Sequence, residues 1–213
     1  MDQNLARAQT LRMQQLAKAL EKNNMDVICL ENKEQVVPTL EGLIEKGAKV
    51  SVGGSATLFE TGVIDWLRSY DCEFHDRYAP GLTGEQVMEV FRAAFTDDVY
   101  LTSTNAVTEA GELVNVDANG NRVAAMLFGP KKVIVVTGMN KLVRDVPAAF
   151  ARIEELAAPA NAIRLGRKTP CTETGRCMHC KSEDAICRKA TILASQQGKG
   201  RVTVILVAEK LGY

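Results

Sequence analysis

The sequence predicts an α/β protein built as three layers around a mostly parallel β-sheet. Short apolar segments with strand character alternate with amphipathic helical segments through the first half of the chain and again near its end. The segments 132–137 (KVIVVT) and 202–207 (VTVILV) are almost wholly apolar and rich in β-branched residues. Such a composition is typical of central strands buried on both faces. Polar segments follow several strands directly, which is where ligands bind in such sheets.

The individual elements follow from periodicity and from helix-end signals. Apolar side chains recur at helical spacing through residues 4–22. Thr83 and Gln86 form a predicted capping box, and Asp145 is a predicted N-cap. The predicted helices span residues 4–22, 34–46, 85–95 and 146–157, and one more follows the segment 53–57 and ends near residue 68. The further predicted strands span residues 25–30, 48–52, 72–75 and 99–102.

Composition limits the classes of function. The 213 residues contain 26 Lys plus Arg and 26 Asp plus Glu, so charge gives no case for binding nucleic acid or an anionic membrane. Aromatic residues make up only 5% of the chain, which disfavours stacking platforms for single strands. No apolar run approaches the length of a membrane span, and the first residues lack a secretory signal, so we expect a cytoplasmic protein.

Two polar turns predict a ligand site. The turn NGNR contains Asn121 and Arg122, and Gly138, Asn140 and Lys141 come directly after the strand 132–137. If both turns open at the same edge of one sheet, these side chains converge on one pocket. Amide and cationic groups together suit an anionic or carbonyl ligand, so a small anionic metabolite is the expected partner.

Two other polar segments also follow strands. Gly53, Gly54, Ser55 and Thr57 stand between a predicted strand and a predicted helix, an arrangement that presents backbone N–H groups to an anion. The alternative is a tight turn in which Ser55 or Thr57 caps the helix. Asn105 belongs to a polar segment, 103–105, that follows the strand 99–102. The shared position of these segments after strands is the strongest argument for a site.

Two carboxylates are candidate catalytic groups. Glu109 and Glu112 flank Ala110-Gly111 in the segment TEAGEL, which predicts a hairpin. A buried carboxylate there could be a nucleophile or a general base. The alternative is that both are solvated turn residues.

A cysteine cluster predicts a metal site. Cys171, Cys177, Cys180 and Cys187 have the spacing C-x5-C-x2-C-x6-C in a segment with few apolar residues. A loop that cannot bury itself gains most from a bound metal. Four thiolates suit tetrahedral zinc or an iron–sulfur cluster, of which we prefer the cluster. Reduced unliganded thiols or a redox dithiol are the alternatives.

These residues resemble a known family. The run VDANGNRVAAMLFGPKKVIVVTGMNKLVRD, with GGSATLFETGVIDWLR before it and PCTETGRCMHCKSEDAIC after it, is similar to the LUD domain. This lactate-utilisation domain occurs in bacterial lactate-utilisation protein C and in one part of its iron–sulfur partner, protein B. The resemblance implies a single domain over residues 1–213, with a Cys-rich loop at about 166–190. It also implies a fold like that of ribose-5-phosphate isomerase, glucosamine-6-phosphate deaminase and CoA transferases.

The resemblance also implies a function. The family is linked to oxidation of L-lactate to pyruvate by a multi-subunit iron–sulfur system, so an iron–sulfur partner subunit is expected, and a homo-oligomer is a further possibility. By analogy with the fold, residues 53–57 would face the ligand, with Glu109 or Glu112 near it. No flavin or nicotinamide fingerprint occurs, so no nucleotide cofactor is expected and a redox partner is favoured.

Two other functions stay open. One is a stand-alone enzyme, like an isomerase or a CoA transferase, that acts on a small anionic metabolite and holds a structural metal. The other is a non-catalytic module that senses the ligand. The cysteine cluster marks a subgroup of the family, so the chain is either part of the lactate system or a self-contained relative.

Overall fold

A computed structural model describes residues 2–213. Strands and helices alternate along much of this length. In chain order the strands are β1 (Asp26–Leu30), β2 (Lys49–Val52), β3 (Glu73–His75), β4 (Val99–Thr102), β5 (Ala106–Thr108), β6 (Leu113–Asp117), β7 (Lys132–Gly138), β8 (Leu142–Val143), β9 (Lys189–Leu193) and β10 (Val202–Val207). The helices are α1 (Gln3–Lys22), α2 (Val36–Glu41), α3 (Ala56–Glu60), α4 (Val63–Ser69), α5 (Gly84–Ala93), α6 (Asn121–Leu127), α7 (Val146–Arg152), α8 (Ala158–Arg164) and α9 (Cys171–Thr174).

Short helical segments of other types complete the chain. Two 3-10 turns span Lys33–Gln35 and Met139–Lys141, and a π-helical segment, Ile153–Ala157, joins α7 to α8. No helix among residues 2–213 has the length and apolar character needed to cross a membrane.

The larger sheet is wholly parallel. Its strand order is β1-β10-β7-β4-β2-β3, so β7 and β10 lie in the interior of the sheet, as their apolar sequences predict. Alternate residues of β7 face opposite sides: Ile134 and Val136 pack against α2, α3 and α4, whereas Val133 and Val135 pack on the side of α1. All four of these side chains are fully buried. The predicted three-layer α/β fold with a parallel sheet is therefore confirmed.

A smaller sheet was not predicted. It has the order β8-β5-β6-β9, in which β5 and β6 form an antiparallel hairpin and β8 pairs with β5 in parallel. The hairpin at TEAGEL is thus confirmed, with Gly111 in the left-handed region at φ +81°. Because β6 lies in the smaller sheet, the two polar turns do not follow strands of one sheet. The condition on which their convergence was predicted, one shared sheet edge, is therefore not met.

Several predicted helix limits also differ. The helix expected over 34–46 is only α2, since the chain turns at Gly42 and enters β2 through Gly47 at φ +76°. The helix expected to run to residue 68 is broken into α3 and α4 by Gly62, which takes φ +71°. The capping box of Thr83 with Gln86 is present, and Asp145 caps α7 as predicted.

Candidate functional site

A polar cleft opens at the carboxyl ends of β2, β4 and β7, beside the turn that follows β6. It has a volume of about 220 Å³. Its lining residues are mostly polar or cationic. They come from the segments after β2, β3, β4, β6 and β7, from α5, from α8 and the loop after it, and from the C-terminal tail. They include Gly54, Ser55, Thr57, Arg77, Tyr78, Phe91, Ser103, Thr104, Asn105, Asp117, Asn119, Asn121, Arg122, Lys141, Asn161, Arg164, Arg167, Ile186 and Tyr213.

Lys141 lies at the base of the cleft. The 3-10 turn after β7 directs its side chain inward, where the residue is only 3% exposed. Its Nζ donates hydrogen bonds of 2.9 Å to Thr57 Oγ1 and of 2.9 Å to Ser103 Oγ. Both acceptors are neutral hydroxyls that are themselves buried, so the amine lies in a buried polar environment.

The environment of Lys141 changes its charge state. Burial, reinforced by the cations Arg152 and Arg122, lowers its pKa from the ordinary 10.5 to about 7, and Glu60 opposes this shift. Desolvation disfavours the charged amine, and neighbouring like charges act in the same direction. The amine is therefore divided between its neutral and charged forms near neutral pH. An anion in the cleft would favour the charged form.

Arg122 holds the cleft wall together. Its Nε and Nη2 donate to Asp117 Oδ1, and its remaining bonds reach the side chains of Asn105 and Asn115 and the carbonyl oxygens of Ser103 and Val116. Five N–H donors are all that a guanidinium has. Although Arg122 lines the cleft, its donors are used within the protein, so its observed role is structural.

Arg77 stands near the mouth of the cleft. Its guanidinium lies 4.4 Å from the ring centre of Phe91 and 5.3 Å from that of Tyr78. Within residues 2–213 it forms no ion pair and no hydrogen bond, and it belongs to the lining of the cleft. The buried hydroxyls of Tyr78 and Tyr213 also find no partner among the described residues. Unpaired polar groups around a cleft are suited to a polar ligand.

Sequence and structure comparisons identify the family. A model of the LUD domain matches residues 13–207. The chain belongs to the LUD-domain family. The solved structures include a similar one, a DUF162 family protein from Deinococcus radiodurans determined at 1.70 Å resolution. It shares 15% sequence identity, with a TM-score of 0.53 over 93% of this chain and 98% of that chain, and so supports the fold alone. No curated protein matches the chain.

The cleft of this LUD-domain protein includes most, but not all, of the predicted ligand-binding residues. Gly53, Gly138 and Asn140 do not line it. Gly53 packs against the Thr102 and Tyr100 side chains, and Asn140 binds the backbone of the C-terminal tail. The predicted residues that do line the cleft are Gly54, Ser55, Thr57, Asn105, Asn121, Arg122 and Lys141. Ser55 Oγ accepts a hydrogen bond from Leu58 N and so caps α3, in agreement with the alternative interpretation.

Glu109 and Glu112 lie outside the lining of the cleft. Their hairpin packs on α1, where Gly111 approaches the backbone of Ala19. Glu109 is exposed and pairs with Arg12 at 3.5 Å, and Glu112 accepts a 2.9 Å hydrogen bond from Thr108 Oγ1. In this arrangement neither carboxylate contacts a group of the cleft, and the ionisable side chain at its base is Lys141.

The four cysteines of the predicted metal site surround a second, much smaller cavity. Cys171, Cys177, Cys180 and Cys187 all line it, and all four are free thiols. Among residues 2–213 no group of three or more His, Cys, Asp or Glu side chains is already arranged closely enough to hold a metal ion. The four cysteines therefore line one cavity, but they are not close enough together in this arrangement to hold a metal ion.

Several cleft residues escaped the sequence analysis of this LUD-domain chain. Arg77 and Tyr78 follow the short strand β3, where no glycine turn marks a site. Arg164, Arg167 and Tyr213 come from α8, the loop after it and the chain end, which only tertiary packing brings to the cleft. The one usable signal was at Arg77-Tyr78, where a cationic residue stands next to an aromatic residue in a polar segment after a strand.

Proposed function

We propose that the cleft binds a small carboxylate of the lactate and pyruvate class, and that the protein acts in lactate utilisation. The observation that carries this proposal is the buried amine of Lys141. Its hydrogen-bond acceptors are hydroxyl groups, and no carboxylate forms an ion pair with it within residues 2–213. A buried, unpaired amine with a pKa near 7 lacks an anionic partner, which a bound carboxylate would supply.

The other cleft groups support the same class of ligand. Arg77 offers a guanidinium whose planar N–H groups match a carboxylate in bidentate geometry. The hydroxyls of Tyr78 and Tyr213 can donate to a hydroxyl or carbonyl oxygen of the same ligand. The volume of about 220 Å³ lies below the range usual for drug-sized ligands and suits a small metabolite.

The LUD family connects such a ligand with lactate. Oxidation of L-lactate to pyruvate releases two electrons and two protons, so the reaction needs an acceptor. We propose that an iron–sulfur partner protein accepts the electrons, in keeping with the family resemblance. In this scheme the cleft binds and orients the acid. The Lys141 amine takes up a proton when negative charge develops beside it and releases the proton when that charge is lost.

Calorimetry tests the role of Lys141 in binding. A carboxylate beside the amine should raise the pKa of Lys141. At about pH 8, one unit above the pKa, binding of L-lactate or pyruvate should therefore take up part of a proton. Titrations in buffers of different protonation enthalpy measure this uptake. Lys141→Met should abolish it, and Lys18→Met, which changes an exposed lysine, should leave it unchanged.

The same titrations test Arg77. Arg77→Gln should weaken binding by on the order of tenfold to a hundredfold, because a charge-assisted hydrogen bond is lost. Arg7→Gln makes the same chemical change on the exposed side of α1 and should have no effect. The proposal fails if neither acid binds the wild-type protein. Proton uptake that persists in Lys141→Met would show that another group responds to the ligand.

Growth tests the link to lactate utilisation. A strain of the source organism without this protein should lose growth on L-lactate as carbon source and should keep growth on pyruvate. The wild-type and Lys18→Met proteins should restore growth, whereas Lys141→Met should not. Normal growth of the deletion strain on L-lactate would argue against this role and leave only the binding proposal.

A second candidate is a stand-alone enzyme on a small anionic metabolite, of the isomerase or CoA-transferase type. The lowered pKa of Lys141 favours it, since a neutral amine at physiological pH can act as a base. In this scheme Lys141, rather than Glu109 or Glu112, would be the base, because the two carboxylates lie outside the cleft. Thermal stabilisation by sugar phosphates or CoA, without stabilisation by lactate or pyruvate, would favour this candidate. Binding without any turnover would favour a sensing module.

A further inference from the structure

The cysteine loop, defined here as residues 165–188, connects α8 to β9. Between its ends only α9 is regular secondary structure, and few of its side chains are buried. Polar contacts tie the loop together: Lys168 N donates to Asp184 Oδ2 at 2.7 Å, and Arg188 Nη2 donates to the carbonyl oxygens of Ser182 and Glu183. These contacts are mostly exposed. A segment so poor in apolar burial has little stability of its own.

The four cysteines of this loop gather at its small cavity. Cys171 and Cys187 lie near the two ends of the loop, and Cys177 and Cys180 lie at its tip, yet all four line the same space. The apolar residues Ala158 of α8 and Ala185 also line it. The two other cysteines of the chain, in β1 and before β3, do not line it. The clustering is therefore specific to the C-x5-C-x2-C-x6-C segment.

Two of the four sulfur atoms have a hydrogen-bond donor beside them. His179 adopts a left-handed conformation at φ +48°, which is uncommon for a residue other than glycine. In this conformation its N–H donates to Cys177 Sγ at 3.4 Å. Thr169 Oγ1 stands 3.2 Å from Cys171 Sγ and can donate to it. Such donors orient the sulfur atoms, as outer-shell hydrogen bonds do around the ligands of metal sites.

We propose that Cys171, Cys177, Cys180 and Cys187 bind a thiophilic metal centre and that this centre fixes the adjoining wall of the cleft. The ligand chemistry is four thiolates, which suits one tetrahedral Zn²⁺ or an iron–sulfur cluster. The thiols are not already at ligating positions within residues 2–213, so binding draws them inward. Metal binding is then coupled to ordering of the whole loop.

The coupling to the cleft follows from Ile186. This residue lines both cavities and is adjacent to Cys187 in the chain. Arg167, at the other end of the loop, also lines the cleft and pairs with Asp184 at 3.5 Å. An inward shift of Cys187 moves Ile186 directly. This second part of the inference rests on the proposed carboxylate site, whereas the metal centre does not.

Metal analysis of protein purified without oxygen tests the centre. We expect either about one zinc per chain with no visible colour, or iron with acid-labile sulfide and broad absorption near about 400 nm; the first identifies Zn²⁺ and the second a cluster. Cys177→Ser and Cys180→Ser should lose the metal. The double variant Cys29→Ser with Cys72→Ser, which changes the two cysteines outside the loop, should keep it. Absence of both metals from the wild-type protein, together with failure to take up added Zn²⁺, overturns the proposal.

Proteolysis supplies a readout that does not depend on ligand binding or on a variant's folding. Arg176 and Lys181 are exposed in the loop and are trypsin sites. Removal of the metal from the wild-type protein with a chelator should accelerate cleavage there by on the order of tenfold or more, and added metal should restore protection. Equal cleavage rates with and without metal would overturn the proposed ordering of the loop.

Calorimetry with L-lactate then separates the two proposals. Removal of the metal from wild-type protein should weaken lactate binding several-fold if the centre fixes the cleft wall. Unchanged affinity refutes the coupling and leaves the metal centre in place. If the metal-loaded protein binds neither lactate nor pyruvate, the proposed function fails, and the metal centre is judged from metal content and proteolysis alone.

Discussion

Replacement of Lys141 by methionine should change how stability depends on pH. In the folded protein the amine gives up its proton near pH 7, because burial and the neighbouring cations disfavour the charged form. In the unfolded chain the same amine keeps its proton until near pH 10.5. Between these values the unfolded state binds more protons, so this group makes the folded state more stable as pH rises. Well below pH 7 the amine is charged in both states, and the unfavourable burial of this charge then destabilises the folded state in full.

The magnitude follows from the two pKa values. Where the amine is neutral in the folded protein and charged in the unfolded chain, the free energy of unfolding rises by about 1.4 kcal/mol for each pH unit. Integrated from about pH 6 to about pH 9, with half-titration at pH 7, the wild-type protein should gain about 2.5 kcal/mol in free energy of unfolding from this one group. Lys141→Met removes the amine but keeps a flexible side chain of similar length, so the variant should lack this gain.

Denaturant unfolding at a series of pH values measures the effect. The useful quantity is the difference in free energy of unfolding between the wild-type and Lys141→Met proteins, because titrations of other groups cancel. Its value at any one pH also contains the lost hydrogen bonds to Thr57 and Ser103, whereas its change with pH does not. Lys18→Met should track the wild type throughout. A difference that stays constant from about pH 6 to about pH 9 would refute the lowered pKa of Lys141.

Three further substitutions test the structure, each by denaturant unfolding near neutral pH. Arg122→Ala should cost about 3–5 kcal/mol, because it leaves the buried Asp117 carboxylate without its partner; a cost under about 1 kcal/mol would contradict the structural role of Arg122. Gly111→Ala should cost on the order of 2 kcal/mol, since φ is +81° and the new Cβ would lie 2.8 Å from the α1 backbone, while Gly198→Ala, in open space, should be near neutral. Thr83→Ala should cost about 1 kcal/mol through the lost N-cap of α5, and no loss would mean that the cap is unimportant.

Sequence patterns predicted the large sheet because its signals are local. The segments KVIVVT and VTVILV are apolar at nearly every position on both faces, a pattern typical of strands that are buried on both faces. The smaller sheet was missed because its strands are short and depend on distant partners. β9, for example, pairs with β6 across more than 70 residues, and three of its five residues are exposed. Such strands are stabilised by pairing rather than by a pattern of their own.

The candidate site was predicted in part for a similar reason. Lys141 and Thr57 follow strands of one parallel sheet, so their meeting could be inferred from topology alone. Arg122 was also predicted from its turn, although that turn follows β6 of the smaller sheet rather than a strand of the larger one. Asn140 was misjudged because side-chain direction within a short turn is set by its contacts with the C-terminal tail. Arg164 and Tyr213 depend on packing of segments far apart in sequence.

The position of Ser103 explains why the cleft depends on both sheets. It lies in the short link between β4 of the larger sheet and β5 of the smaller one. Its hydroxyl accepts from Lys141, and its carbonyl oxygen accepts from Arg122, which is held in turn by Asp117 at the end of β6. Since Arg122 fixes the smaller sheet against Ser103, any shift between the sheets alters the surroundings of the Lys141 amine. The charge of the Lys141 amine therefore depends on the packing of the two sheets as well as on its own burial.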